Sequence, residues 1–226
     1  TKESLGLTYN TLSKAISNAT MHAQGSGKDL FKSKEKNKIL VEKDDINRRK
    51  KQIDDLYKKT GLTNDAMKMI TINSFYLRKN QEFKFIENYL LEIKKNVKWD
   101  KDNLKYLDDV YEDLSDIYFS TNRKKMIAPL LLEGLKVVSN FPGNIDALNA
   151  EGRFLQSMSL HTLNDWGNEK LMMKSGKLTK NRIKKYIAQL DNLNENQKKQ
   201  LYKLDKYHYT DLIGSIALLS NTFWPD

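Results

Sequence analysis

Long stretches of this chain run without any residue that interrupts a helix. Three prolines and ten glycines are spread over 226 residues, whereas a β-sandwich or barrel needs turn residues at roughly every tenth position. Between these breakers apolar side chains recur three and four residues apart, the spacing that puts them on one side of a helix. Lys, Leu, Asn, Asp, Ile and Glu dominate, and Lys, Leu and Glu among them are good helix formers. The pattern predicts an all-α protein, and 39% hydrophobic content can supply a core for it.

Taken in order, the chain divides into three parts. In residues 1–27, Leu5, Leu7, Tyr9, Leu12, Ala15, Ile16 and Ala19 predict a first amphipathic helix, followed by a Gly/Ser linker at Gln24-Gly-Ser-Gly27. Gly25-Ser-Gly27-Lys28 is not a phosphate loop, because His22 stands where the first glycine would be and Asp29 where a Ser or Thr is needed. Residues 28–61 predict a long, charged helix packing through a narrow stripe of Ile39, Ile46, Ile53, Leu56 and Tyr57.

Residues 62–226 predict the main helical domain. Gly61 ends the preceding helix and Thr63 caps the next. A hairpin follows, with Met67, Ile70, Ser74, Leu77, Phe83, Ile86, Leu90 and Ile93 inside and a break at Lys79-Asn80. Beyond Trp99-Asp100, Leu104, Leu107, Val110, Tyr111, Leu114, Ile117 and Tyr118 form an inner face. Asp102, Asp108, Asp109, Glu112, Asp113 and Asp116 form an acidic outer one. Pro129 falls in a first turn, where it is tolerated. Phe141-Pro-Gly ends that helix, and Asn144 caps another reaching about Trp166. Ser175-Gly176 predicts a break before a short helix over Thr179–Leu190, and a last helix runs from Asn194 to about Ser220.

The helix from Asn144 carries a more particular pattern. Asn144-Ile-Asp-Ala-Leu148-Asn-Ala-Glu-Gly152-Arg-Phe-Leu155 resembles the first helix of a tetratricopeptide repeat, with large Leu148, small Gly152 four on and large Leu155 three on. Glu151 departs from it at a normally apolar position, and the hairpin from Leu104 lacks the small residue. The resemblance implies stacked helix hairpins with a surface for a protein or peptide, and Leu148, Gly152 and Leu155 as packing residues. An irregular multi-helix bundle is the other arrangement that fits the same spacing.

A net charge of +10 and a pI near 9.4 suit an acidic protein, nucleic acid or an anionic membrane surface. The basic candidates for an interaction surface are Arg48, Arg49, Lys50 and Lys51, and then Lys180, Arg182, Lys184 and Lys185 with Tyr186 beside them. A Lys- and Asn-rich composition also fits a bacterial protein from an AT-rich genome. Without cysteine there is no disulfide, thiolate ligand or cysteine nucleophile.

His161, Asp165 and Glu169 are four apart and, with Asp205 and His208, contain ligand types for zinc or iron. Gly167 interrupts that line, and no Glu-x-x-His pair supports it. Asp108-Asp-Val-Tyr-Glu112 resembles the aspartate-rich motif of helical isoprenoid enzymes, without a second motif at a suitable distance. No catalytic, cofactor-binding or metal-binding residue is assigned, and no cofactor is expected. No apolar run reaches the roughly 18 residues that would span a bilayer. The start at Thr1 without a methionine leans towards export, with a cytoplasmic protein as the alternative.

The sequence is read first as a non-enzymatic helical protein-binding module or scaffold whose partner is another protein or peptide. The second reading is an exported effector or surface protein whose basic face binds anionic lipid or nucleic acid. A metal-dependent helical enzyme is the third.

Overall fold

The computed structural model describes the backbone of residues 43–163, 169–204 and 213–214, and the side chains of 43–159, 178–204 and 213–214. The helix expected over Leu5–Ala19, the Gly/Ser linker and the start of the charged helix lie outside these residues. The described residues contain eight α-helices and no strand, an all-α fold of helix hairpins. They fall into two compact units, Asn37–Ala147 and the part from Leu148 onward.

The first unit holds α1 (Lys43–Thr60), α2 (Asn64–Lys79), α3 (Phe83–Asn96), α4 (Leu107–Ser120) and α5 (Ile127–Val138). α1 is mostly exposed and buries Ile53, with Ile46, Leu56 and Tyr57 half-buried, which is the narrow stripe expected of it. Gly61 ends it at φ +66°, a conformation that costs glycine nothing, and its N–H reaches the Tyr57 carbonyl at 2.8 Å. Thr63 Oγ1 then accepts the Ala66 N–H at 3.3 Å and starts α2. Between α2 and α3, Gln81 takes a left-handed φ of 63°. Before α4, the Asp100 carboxylate accepts the N–H groups of Asp102 and Asn103, and a 3₁₀ turn at Leu104–Tyr106 leads into the helix. Pro129 is the third residue of α5, where its missing N–H leaves no bond unmade. Asn144 Oδ1 accepts the Ala147 N–H at 3.0 Å and so caps the next helix.

Periodic apolar residues of α2, α3, α4 and α5 meet in one core. Ile70, Leu77, Ile86, Leu90, Ile93, Leu107, Val110, Leu114, Ile117 and Leu131 are sealed from solvent. Each helix packs on the next, and α2 also packs on α4. Polar side chains repeat this step of two along the chain. Lys50 of α1 meets Glu82 at the head of α3 at 2.8 Å, and Tyr89 of α3 donates to Asp54 of α1 at 2.5 Å. Arg78 of α2 meets Asp113 and Asp116 of α4, and Lys94 of α3 meets Glu133 of α5 at 2.6 Å. The hairpins are thus stacked, with α1, α3 and α5 linked as one course and α2 and α4 as the other.

One expectation fails here. The face of α4 read as acidic and outward is only partly so, because Asp108 and Asp113 are buried while Asp109 and Asp116 are exposed. Asp113 turns inward because Arg78 arrives from α2 to meet it.

The second unit contains α6 from Leu148 onward (the helix spans Ile145–Leu163), α7 (Glu169–Asp191) and α8 (Glu195–Leu204). Leu148 and Gly152 are buried, and Phe154 and Leu155 are sealed, as the close-packing pattern requires. Ile183, Tyr186, Ile187 and Leu190 form the buried stripe of α7. Asn194 and Gln197 exchange side-chain and backbone hydrogen bonds at 2.9 and 3.1 Å, a reciprocal cap at the start of α8. The break expected at Ser175-Gly176 is absent, for α7 runs through both residues. One glycine costs a helix only about 1 kcal/mol, which the good helix formers around Gly176 can absorb. Of the last helix expected to Ser220, the described residues hold only α8 and the helical pair 213–214.

Candidate interaction surface

Positions 68, 72, 75, 76 and 79 of α2 are spaced by three and four residues or adjoin, so they share one side of the helix. The opposite side is spent on the core through Met67, Ile70, Ser74 and Leu77. The shared side nevertheless carries large apolar groups that stay in solvent: Ile72 is 56% exposed, Phe75 51% and Tyr76 36%. The two rings meet edge to face with centroids 5.8 Å apart. Lys79 Nζ lies 5.0 Å from the Phe75 centroid, and the Arg49 guanidinium stands 4.5 Å from that of Tyr76.

Both edges of this stripe are fixed by polar groups. On the α1 edge, Arg49 donates to Asp45 and to Asn73 Oδ1, each at 2.7 Å, and Asn73 Nδ2 donates to the Met69 carbonyl at 2.8 Å. Arg48 also bonds to Asp45, and the hydrogen bonds from Arg48 and Arg49 hold that carboxyl below its usual range. On the α4 edge, Arg78 donates to Asp113 and Asp116 at 2.5 Å each. Burial pushes the Asp113 carboxyl up to about 6, outweighing the attraction of Arg78. Asp109 and Asp116 raise it further.

The basic residues singled out in the sequence meet different fates. Arg48 and Arg49 are tied to Asp45, and Lys50 bridges to Glu82 with its ammonium 5.0 Å from the Phe85 ring. Lys51 is exposed. Four consecutive residues point in four directions around a helix, so the run does not form one phosphate-binding face. In the second unit Arg182, Lys184 and Lys185 are exposed and Lys180 is half-buried. Arg182 also attracts Glu151, whose carboxyl is raised by burial. Tyr186 was expected on the same surface and is instead a core residue. Its side chain is sealed, and its hydroxyl donates to the Leu148 carbonyl at 2.5 Å. Leu178, Tyr202 and Leu204 are exposed apolar residues of this unit.

His161, Asp165, Glu169, Asp205 and His208 lie outside the described side chains. Among the described residues no group of three His, Asp or Glu is placed to hold a metal ion, and Asp108 of the aspartate-rich run is buried. No helix among them is long and apolar enough to cross a membrane.

Ile72, Phe75 and Tyr76 were not foreseen as a surface. The signal was present in the sequence: once Met67, Ile70, Ser74 and Leu77 fill the inner stripe, these three apolar residues fall outside it. Compared with protein-family models, curated proteins and solved structures, the chain matches none.

Proposed function

We propose that this protein is a non-enzymatic helical binding module that docks another protein on the exposed side of α2. The observation that carries this reading is the stripe of Ile72, Phe75 and Tyr76, more than a third exposed at each position and aligned on one helix. Isolated exposed apolar residues need no explanation, but three aligned ones resemble the anchors by which helices recognise each other. Covering what each leaves in water is worth on the order of 1 kcal/mol per residue. The stacked hairpins support the same reading. α2, α4 and α6 begin at Asn64, Leu107 and Ile145, spacings of roughly 40 residues that suit helical repeats. Buried Gly152 fits the tetratricopeptide-like pattern of α6.

The test is affinity capture from the source organism with the wild-type chain and with Ile72→Asp. A protein retained by the wild type and lost with the variant, at unchanged circular dichroism, is the expected outcome. Equal retention by both would remove α2 from the interface.

A second reading, binding of nucleic acid or anionic lipid, draws on the exposed Arg182, Lys184 and Lys185 beside exposed Leu178 on α7. It requires binding that weakens steeply with salt. Insensitivity of DNA and anionic-vesicle binding to the triple change Arg182→Gln, Lys184→Gln, Lys185→Gln would discard it.

A further inference from the structure

We infer that the partner segment seated on α2 is an acidic amphipathic helix. Its apolar side chains cover Ile72, Phe75 and Tyr76, and its carboxylates meet Lys68 and Lys79. This inference rests on the reading of α2 as the docking side and adds the chemistry of what docks there.

The argument is one of uncompensated charge. Lys68 and Lys79 are exposed on the same side as the apolar stripe, and neither has a carboxylate partner among the described residues. Lys79 lies over the Phe75 ring, so an anion approaching that ring meets its ammonium. The acids along the edges are already engaged. Asp45 is held by Arg48 and Arg49, Asp113 and Asp116 by Arg78, and Asp109 and Glu112 have interactions of their own. Asp65, exposed in the first turn of α2 where the positive end of the helix dipole favours a carboxylate, shares this side three residues before Lys68 and sets one negative charge against the two positive ones. The charge left to recognise a partner here is therefore positive, in keeping with the net charge of +10.

Spacing adds a geometric requirement. Lys68 and Lys79 are three helical turns apart, about 16 Å along the axis, with the apolar residues between them. A partner helix running along α2 matches this with two carboxylates three turns apart and apolar residues three and four apart between them.

Synthetic helical peptides of about 18 residues test this against the full chain by fluorescence anisotropy. One carries Leu along one side with flanking Glu, a second has Lys in place of each Glu, and a third has Gln in place of each Leu. The Leu/Glu peptide is expected to bind tightest. The double variant Lys68→Glu, Lys79→Glu should weaken it by roughly tenfold or more and turn the preference towards the Leu/Lys peptide. Phe75→Ala should weaken the Leu/Glu peptide at least fivefold, roughly the loss of one anchor residue. All these positions are exposed, and unchanged circular dichroism of each variant confirms that folding is not the cause. If the Leu/Lys peptide binds the wild type as tightly and is equally sensitive to Phe75→Ala, the acidic partner is wrong while the docking side stands. If no peptide is sensitive to Phe75→Ala, or the Leu-free peptide binds equally well, both fail.

Discussion

Asp113 is the residue at which folding and ionisation conflict most directly. It is buried between α2 and α4, paired with Arg78, and its carboxyl is still raised from 3.8 to about 6 because burial penalises its charge more than the guanidinium rewards it. The folded protein thus holds that proton more tightly than the unfolded chain does. The stability gained is complete below pH 3.8 and is lost as pH rises through about 6. Replacing Asp113 with Asn should flatten this part of the dependence of Tm on pH, relative to wild type, and the carboxyl carbon of Asp113 should titrate near 6 by NMR. A carboxyl titrating below 3.8 would mean that the pair with Arg78 dominates instead. Tyr186 makes a smaller claim of the same kind. Tyr186→Phe keeps the sealed ring but loses the 2.5 Å bond to the Leu148 carbonyl, and should cost about 1 kcal/mol in denaturant melts.

At the scale of elements, what could be read from the sequence was whatever short-range chemistry decides. Thr63 and Asn144 accept N–H groups three residues on, and Gly61 and Gly143 adopt φ values of +66° and +75° where the chain turns. These roles depend only on a few neighbouring residues, so they were legible. Asn144→Ala should accordingly cost about 1 kcal/mol, measured as a drop in Tm. The errors came where distant residues decide. Gly176 looked like a break, yet α7 continues through it. Asp113 and Asp108 looked like solvent residues because a carboxylate on a helix usually is one, and nothing local foretells that Arg78 will reach Asp113 from 35 positions away. Tyr186 was read with the lysines around it, although Ile183, Ile187 and Leu190 already marked its side of α7 as the buried one. The α2 stripe shows the opposite case: Met67, Ile70, Ser74 and Leu77 already complete the inner face, so Ile72, Phe75 and Tyr76 fall outside it.

Across the first unit as a whole, ion pairs repeat the step of two helices, but the sealed apolar residues carry most of the stability. Lys94–Glu133 is a partly exposed pair, worth at most about 1 kcal/mol, whereas truncating a sealed leucine costs roughly 2–5 kcal/mol. Leu114→Ala should therefore lower stability several times more than Lys94→Ala in matched urea melts; equal effects would show that the pairs hold the stack. The core of this unit is supplied by the inner faces, and the exposed apolar side chains on the outer side of α2 lie outside it. The most direct measurement replaces Phe75 with a photo-crosslinking phenylalanine derivative in the full chain and irradiates it in cells of the source organism. A discrete polypeptide adduct that disappears when Ile72→Asp is added is the result expected of a protein-docking surface. No polypeptide adduct, or one indifferent to Ile72→Asp, would contradict it.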